Sequence, residues 1–338
     1  MSDLEKLSIY VPRAIAIALD RDAELFEIFK RDGRTINRNR FLSQVLLGYH
    51  DSYTEELSRL ADAVSKAVED SVGNVTDRSN LVHKIVQAVS PSMPDGQRGA
   101  DIKRLSLKPT YQTEGLIREI LDDLGNDNRS QYFYGMLASY CDRPSSMRER
   151  IVFKESIALL EDACRKRRMV SFSTTWDKTT IHRVVPYKLV AGQDERLNYL
   201  LCFEEENQDR QTLAYRLCRI SRPHILSTSA TLPEYAYRHL ALMEQHGPQF
   251  AINDDEQACV RLTPKGAITY QRVYLGRPAY ERVEHVEGGD LYYFNCSDDQ
   301  LFLYFRRFGP GEAEVIAPAS LRDRVIAFHE GALKMYDR

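Results

Sequence analysis

Two stretches of the chain alternate apolar and polar residues with a period of two, the mark of a short strand covered on one face. Residues 6–12 read Lys-Leu-Ser-Ile-Tyr-Val-Pro, so Leu7, Ile9 and Val11 share one side and Lys6, Ser8 and Tyr10 the other. Residues 104–109 read Arg-Leu-Ser-Leu-Lys-Pro, with Leu105 and Leu107 facing in and Arg104, Ser106 and Lys108 facing out. Each stretch ends at or just before a proline, which suits a helix start. A helical stripe follows each one. In the first it is Ile15, Leu19, Phe26 and Phe29, with Gly33 as the stop; in the second it is Leu116 or Ile117, Ile120 and Leu124, with Gly125 as the stop. A second helix then opens on Asn37 or on Asn128, residues able to accept from the free N–H groups of a first turn. Along it, Asn37–Leu42 is similar to Asn128–Phe133, and Val45, Leu46 and Tyr49 match Met136, Leu137 and Tyr140 at one constant offset.

Strand, helix and capped helix, twice over, resembles the ribbon–helix–helix family. In that family two strands pair into an antiparallel ribbon that lies in the DNA major groove. The resemblance implies a nucleic-acid-binding face made of Lys6, Ser8, Tyr10, Arg104, Ser106 and Lys108, with Arg38, Arg40 and Arg129 at the helix N-termini to meet phosphates. Tyr10 suits stacking on a base, which would favour RNA or a single strand. Two copies fit either a pseudo-dimer within one chain or half-units pairing across a homodimer. An all-helical scaffold with two edge strands is the competing reading of the same pattern. The units are expected at 1–55 and 101–150, with a helical connector at 56–100 that includes helices near 54–69 and 77–89.

Beyond a break at Asp142-Arg143-Pro144-Ser145-Ser146 the pattern changes. Residues 155–168 predict an amphipathic helix with Ile157, Leu160 and Cys164 on one side. Five short strands follow, at Val170–Thr174, His182–Pro186, Leu197–Phe203, Leu213–Arg219 and His224–Leu226. Such spacing predicts a small β-barrel. Three of these segments carry a resemblance. Arg183-Val184-Val185-Pro186-Tyr187-Lys188-Leu189-Val190, Asn198-Tyr199-Leu200-Leu201-Cys202-Phe203 and Tyr215-Arg216-Leu217-Cys218-Arg219-Ile220 are similar, in that order, to strands of the WYL domain of bacterial regulators. Asn198 stands where the family has tryptophan, and Cys218 where it has aspartate.

The resemblance implies a central SH3/Sm-like β-barrel (WYL) at 151–232 with a basic cleft for a small anionic ligand or an oligonucleotide. The matching positions are Arg183, Tyr199, Arg216 and Arg219, with His182 beside them. Guanidinium groups clamp phosphates in pairs of hydrogen bonds, and a tyrosine ring can stack on a base. On a regular strand, Arg216 and Arg219 would point to opposite faces. Past a polar linker, residues 255–338 resemble the C-terminal extension found beside WYL domains, through Gly311, Val315, Pro318, Leu321 and Arg322. A ferredoxin-like αβ domain that makes a homodimer is implied. Arg306 and Arg307 fall on the outer face of a helix whose inner stripe is Leu301, Tyr304, Phe305 and Phe308.

Composition narrows the picture. A chain of 338 residues is too long for one core, so the fold class expected is α+β multidomain. The net charge of −3 argues against a protein that coats nucleic acid, so any contact must come from local patches. The six cysteines form no CxxC pair, no apolar run is long enough to span a bilayer, and no secretion signal is present, which predicts a cytoplasmic protein with reduced thiols. No HxxxH, Walker, GxSxG or GxGxxG motif occurs, so neither a cofactor, a metal nor an enzyme is expected. Two functions remain. The first is a ligand-responsive transcription regulator that binds DNA through its N-terminal units. The second is a single-stranded RNA-binding accessory protein that modulates a CRISPR effector or other defence complex, since the chain resembles some proteins that pair ribbon–helix–helix and WYL domains and accompany CRISPR systems.

Overall fold

The computed structural model describes residues 6–69, 75–91, 101–124, 129–192, 196–204, 212–229, 231–248, 257–273, 276–296 and 298–336. The chain divides into two compact units, Met1–Ala158 and Leu159–Arg338.

The first unit opens with strand β1 (Leu7–Pro12) and helices α1 (Arg13–Leu25), α2 (Arg38–Val68) and α3 (Val75–Val89). Strand β2 (Ile102–Leu107) follows, then α4 (Glu114–Leu124), α5 (Arg129–Cys141), α6 (Ser145–Val152) and the start of α7 (Lys154–Lys166). Strands β1 and β2 pair antiparallel, so the two copies of the sequence pattern join within one chain. Their register is symmetric: Leu7 faces Leu107, Ile9 faces Leu105, and the equivalent serines Ser8 and Ser106 face each other. The helices repeat the symmetry. Tyr49 and Tyr140, equivalent in the two copies, meet edge to face with centroids 6.5 Å apart. Contact between equivalent residues is what a local two-fold axis produces.

The apolar sides of both strands supply the core. Ile9, Val11, Leu105 and Leu107 are buried with Phe41, Val45, Leu46, Phe133 and Met136. A buried ion pair ties the helices together: the Arg148 guanidinium donates to both carboxylate oxygens of Asp22 at 2.6 and 2.9 Å, and the Tyr140 hydroxyl donates to the same group at 3.0 Å.

Several expectations need correcting here. Helix α1 stops at Leu25 rather than reaching Gly33, because Glu27 takes a positive φ and the chain turns back through a bridge between Phe29 and Ile36. Helix α2 runs unbroken past residue 55, so the helix expected from about residue 54 continues the one that Asn37 opens. Asn37 caps α2 by accepting from Arg40 N at 3.1 Å, whereas Asn128 and Gly125 lie outside the described residues.

In the second unit, β3 (Arg168–Thr174), β4 (His182–Ala191), β5 (Asn198–Phe203), β6 (Thr212–Arg216) and β7 (Ile220–Ser229) form an antiparallel sheet in the order β6-β5-β4-β3-β7. The expected barrel is not closed. Edge strands β6 and β7 do not pair with each other in the described residues, and a single 3₁₀ turn, Leu217–Arg219, connects them. Helix α8 (Glu234–His246), absent from the sequence reading, covers β4 and β5 through Ala236, Leu240 and Met243.

The remaining elements are β8 (Ala258–Leu262), α9 (Pro264–Arg272), β9 (Arg282–Val286), β10 (Gly289–Phe294), α10 (Asp298–Phe305), β11 (Ala313–Ala317) and α11 (Ala319–Lys334). They make a four-stranded antiparallel sheet in the order β11-β8-β10-β9. Its core holds Val260, Leu262, Phe294, Leu301, Tyr304 and Leu321. Among the described residues, no helix is long and apolar enough to cross a membrane.

Candidate nucleic-acid interface

The outward face of the β1–β2 ribbon gathers the six residues that alternation placed there. Ser8 lies opposite Ser106 and Tyr10 opposite Arg104. One step beyond the Leu7–Leu107 pair, exposed Lys6 and Lys108 stand at the same end of the ribbon. The Arg104 guanidinium donates twice to Ser8 Oγ, at 3.0 and 2.7 Å, which holds it across the strands. The Tyr10 ring is 42% exposed. The face therefore offers cationic groups and one aromatic ring, the combination that meets phosphates and stacks on bases. Ser106 Oγ is buried without a hydrogen bond, so of the six it is the least able to reach a partner.

Asn39, in the first turn of α2, fixes the end of the ribbon. Its Oδ1 accepts from Lys108 N at 2.6 Å and its Nδ2 donates to Lys108 O at 3.1 Å. Sequence reasoning gave Asn39 no role; the only signal is its position beside the capping residue.

The three arginines expected at helix N-termini divide. Arg38 is bound to Asp20 through two contacts of 2.6 Å, and that partner raises its already high pKa further. Arg129 donates to Leu121 O at 3.4 Å, closing the end of α4. Arg40 is exposed, and lines a groove beside α2.

The cleft residues of the second unit are arranged differently. Tyr199 and Arg216 face each other across β5 and β6, so these two are brought together. The Tyr199 ring, however, is only 6% exposed. Arg183, exposed on β4, faces Ser171 of β3, whereas Tyr199 faces Val190 near the other end of β4. The rise along a strand puts Arg183 and Tyr199 about 20 Å apart. His182 is committed to neighbours: its Nδ1 lies 3.1 Å from Glu204 Oε1 and 3.0 Å from the Tyr215 hydroxyl. Burial, with Cys202 and Glu204 nearby, pushes the Tyr215 hydroxyl well above the ordinary phenol range. Arg219 belongs to the 3₁₀ turn, so the strand rule that would set it opposite Arg216 does not apply; its carbonyl accepts from Thr175 N at 2.9 Å.

No protein-family model matches the chain, and no curated protein does. Among solved structures, the fold is similar to that of the crystal structure of a CRISPR Cas-related protein, with a TM-score of 0.68 and 17% identity over 99% of this chain and 94% of that one. Proteasome accessory factor B/C (PafBC) of Arthrobacter aurescens overlaps over 70% of this chain and 37% of its own, with 18% identity and a TM-score of 0.29, and carries no argument. The first of these shows a shared fold along the whole chain.

Proposed function

We propose that this protein is a nucleic-acid-binding accessory of a CRISPR system that holds single-stranded RNA, and that it binds rather than catalyses. The observation that carries the reading is the fold shared with a CRISPR Cas-related protein along nearly the whole chain. The ribbon face supports it, because Lys6, Lys108 and Arg104 beside an exposed Tyr10 suit a flexible strand better than a groove-filling surface without an aromatic ring.

In this reading the first unit is a ribbon–helix–helix pseudo-dimer folded from one chain. The five-stranded sheet is an open WYL-type sheet, and the last four strands form a ferredoxin-like domain, which their βαββαβ order supports. Helix α11 buries only Leu321 and leaves Ile326, Phe328 and Leu333 exposed, which supports a homodimer built on that helix. A second reading, a DNA-binding transcription regulator with a ligand in the WYL cleft, is favoured by one observation. A two-stranded antiparallel ribbon with outward polar residues has the shape that enters a major groove.

Competition between single-stranded RNA and duplex DNA for the purified protein tests both. RNA should displace DNA at equal nucleotide concentration, and joint replacement of Lys6, Arg104 and Lys108 by alanine should flatten the salt dependence of RNA affinity by about 0.7 per lost phosphate contact. Stronger binding of duplex DNA would hand the function to the regulator reading. An unchanged salt slope would remove the ribbon from either mechanism.

A further inference from the structure

Beside the four-stranded sheet an exposed aromatic ring stands next to two arginines, and nothing above uses them together. Tyr280 precedes the edge strand β9 and is 48% exposed. Its ring is held by its neighbours. It stands edge-on to Tyr292, with centroids 5.1 Å apart, and lies 6.1 Å from Tyr270. Tyr270 in turn meets the buried Tyr304 at 5.8 Å. A ladder of rings thus runs from the core to the surface, and it fixes the outermost ring before any ligand arrives.

Arg277 and Arg307 flank this ladder. The Arg277 guanidinium lies 5.6 Å from the centre of the Tyr270 ring, and that of Arg307 lies 5.2 Å from the centre of the Tyr304 ring. The two cations are close together. Gly276, next to Arg277 in the chain, has a φ of +69°, and a Cβ on it would fall 3.3 Å from Arg307 Nη2. Burial pushes the Tyr304 hydroxyl up to about 12, while the charges of Arg277 and Arg307 both pull it down, so each guanidinium is within electrostatic reach of that one hydroxyl.

Helix ends account for part of this arrangement. Arg277 Nη1 donates to Gln271 O at 3.3 Å in the last turn of α9, and Arg307 Nε donates to Leu303 O at 3.1 Å in the last turn of α10, where cations are favoured. Closing two helix ends does not require two guanidiniums side by side, and like charges at close range repel. Arg277 is exposed, and no carboxylate pairs with it among the described residues. The acidic side chains on the four strands are engaged elsewhere: Glu284 with Arg282 and the Tyr293 hydroxyl, Asp290 with His285, and Glu314 with Arg261.

The groups that face solvent set the ligand. Arginines meet phosphate oxygens through paired N–H groups, and an exposed tyrosine ring can stack on any base. An acidic protein segment would use the arginines and leave the ring idle. We propose that Tyr280, Arg277 and Arg307 form a contact patch for single-stranded nucleic acid, with a base stacked on Tyr280 and backbone phosphates on the two arginines. The patch reads no sequence, because neither ring stacking nor phosphate contact distinguishes one base from another. It takes its ligand from the RNA reading above and uses none of the ribbon residues.

Titration of the full chain with labelled oligo(U) and oligo(A) tests it. Tyr280→Ala should weaken both about tenfold, the effect of losing one stacked base, and Tyr280→Phe, which keeps the ring, should bind as the unaltered protein does. Joint replacement of Arg277 and Arg307 by glutamine should flatten the salt dependence of affinity by about 1.4, two phosphate contacts at about 0.7 each. Irradiation of the unaltered protein with a thiouridine strand should cross-link the peptide that holds Tyr280, a readout that stands even where a variant fails to fold. Unchanged affinity and slope in the patch variants, with the ribbon variant impaired, would overturn the patch and leave the RNA reading standing. Impaired patch variants beside an intact ribbon variant would uphold the patch and remove the ribbon. No RNA binding by the unaltered protein would sink both. Tighter binding of oligo(Glu) than of oligo(U), lost in the double arginine variant, would give the patch to an acidic protein partner and overturn the nucleic-acid assignment.

Discussion

In the ribbon, two strands are covered on one face only; in the five-stranded sheet, all six residues of strand β5, which lies between β6 and β4, are buried. Both regions carry arginine, tyrosine and polar side chains suited to nucleic acid. The ribbon leaves Tyr10 and Arg104 on a free face, held at a fixed spacing by the pairing of the strands. In the sheet, Tyr199 is packed and His182 spends its ring nitrogen on Glu204 and Tyr215, while Arg183 stays exposed. Residue type therefore says little about availability. What decides it is whether the second face of a strand has a cover.

The strongest way to break this comparison is to remove the two tyrosine rings in turn. Tyr199→Ala should cost about 3–5 kcal/mol of stability, the usual loss for a buried aromatic truncated to alanine. Tyr10→Ala should change stability by no more than about 0.5 kcal/mol, as for other surface changes, and weaken RNA binding instead. Urea unfolding and a binding titration on each variant separate the two outcomes. A Tyr199→Ala protein of normal stability but reduced RNA affinity would move the interface to the sheet.

The same difference explains what could be read in advance. A strand with one covered face writes its geometry as strict alternation, and Leu7, Ile9, Leu105 and Leu107 all obey it. The helix repeat was equally plain, because Val45 and Tyr49 and their counterparts Met136 and Tyr140 are all core residues. The register that sets Ser8 against Ser106 was not written locally; it follows from pairing across more than ninety residues.

Elsewhere the pattern was too thin. Strand β9 lies at a sheet edge, and Arg282, His285 and Val286 are exposed, so it carries little apolar signal. Helix α8 buries Ala236, Leu240 and Met243 on one narrow stripe and leaves Tyr235 and Tyr237 outside. The 3₁₀ turn at Leu217–Arg219 interrupts what reads as one strand. The patch around Tyr280 had no signature, because its two cations come from separate segments, around residues 277 and 307.

A smaller effect sharpens the role of the ribbon end. Asn39→Ala removes both hydrogen bonds to the Lys108 main chain, in a partly exposed place. The loss should be about 1–2 kcal/mol of stability, the net worth of two such bonds. RNA affinity should fall as well, because Lys108 is no longer held level with Lys6. A stability loss with unchanged affinity would show that the position of Lys108 does not matter for binding.

The smallest effect concerns Arg38. Its ion pair with Asp20 is short, but the two side chains are 62% and 32% exposed. An exposed pair contributes about 0–1 kcal/mol, so Arg38→Ala should barely shift the unfolding midpoint. The guanidinium is occupied, so the salt dependence of RNA binding should also stay as it was. Arg40→Ala, by contrast, should lower the slope by about 0.7 if that exposed group meets a phosphate of the strand. A drop in slope for Arg38→Ala would mean that the arginine leaves Asp20 when nucleic acid arrives. The interface would then include side chains that the free protein keeps paired, and exposure in the free state would no longer be the rule that separates the ribbon from the sheet.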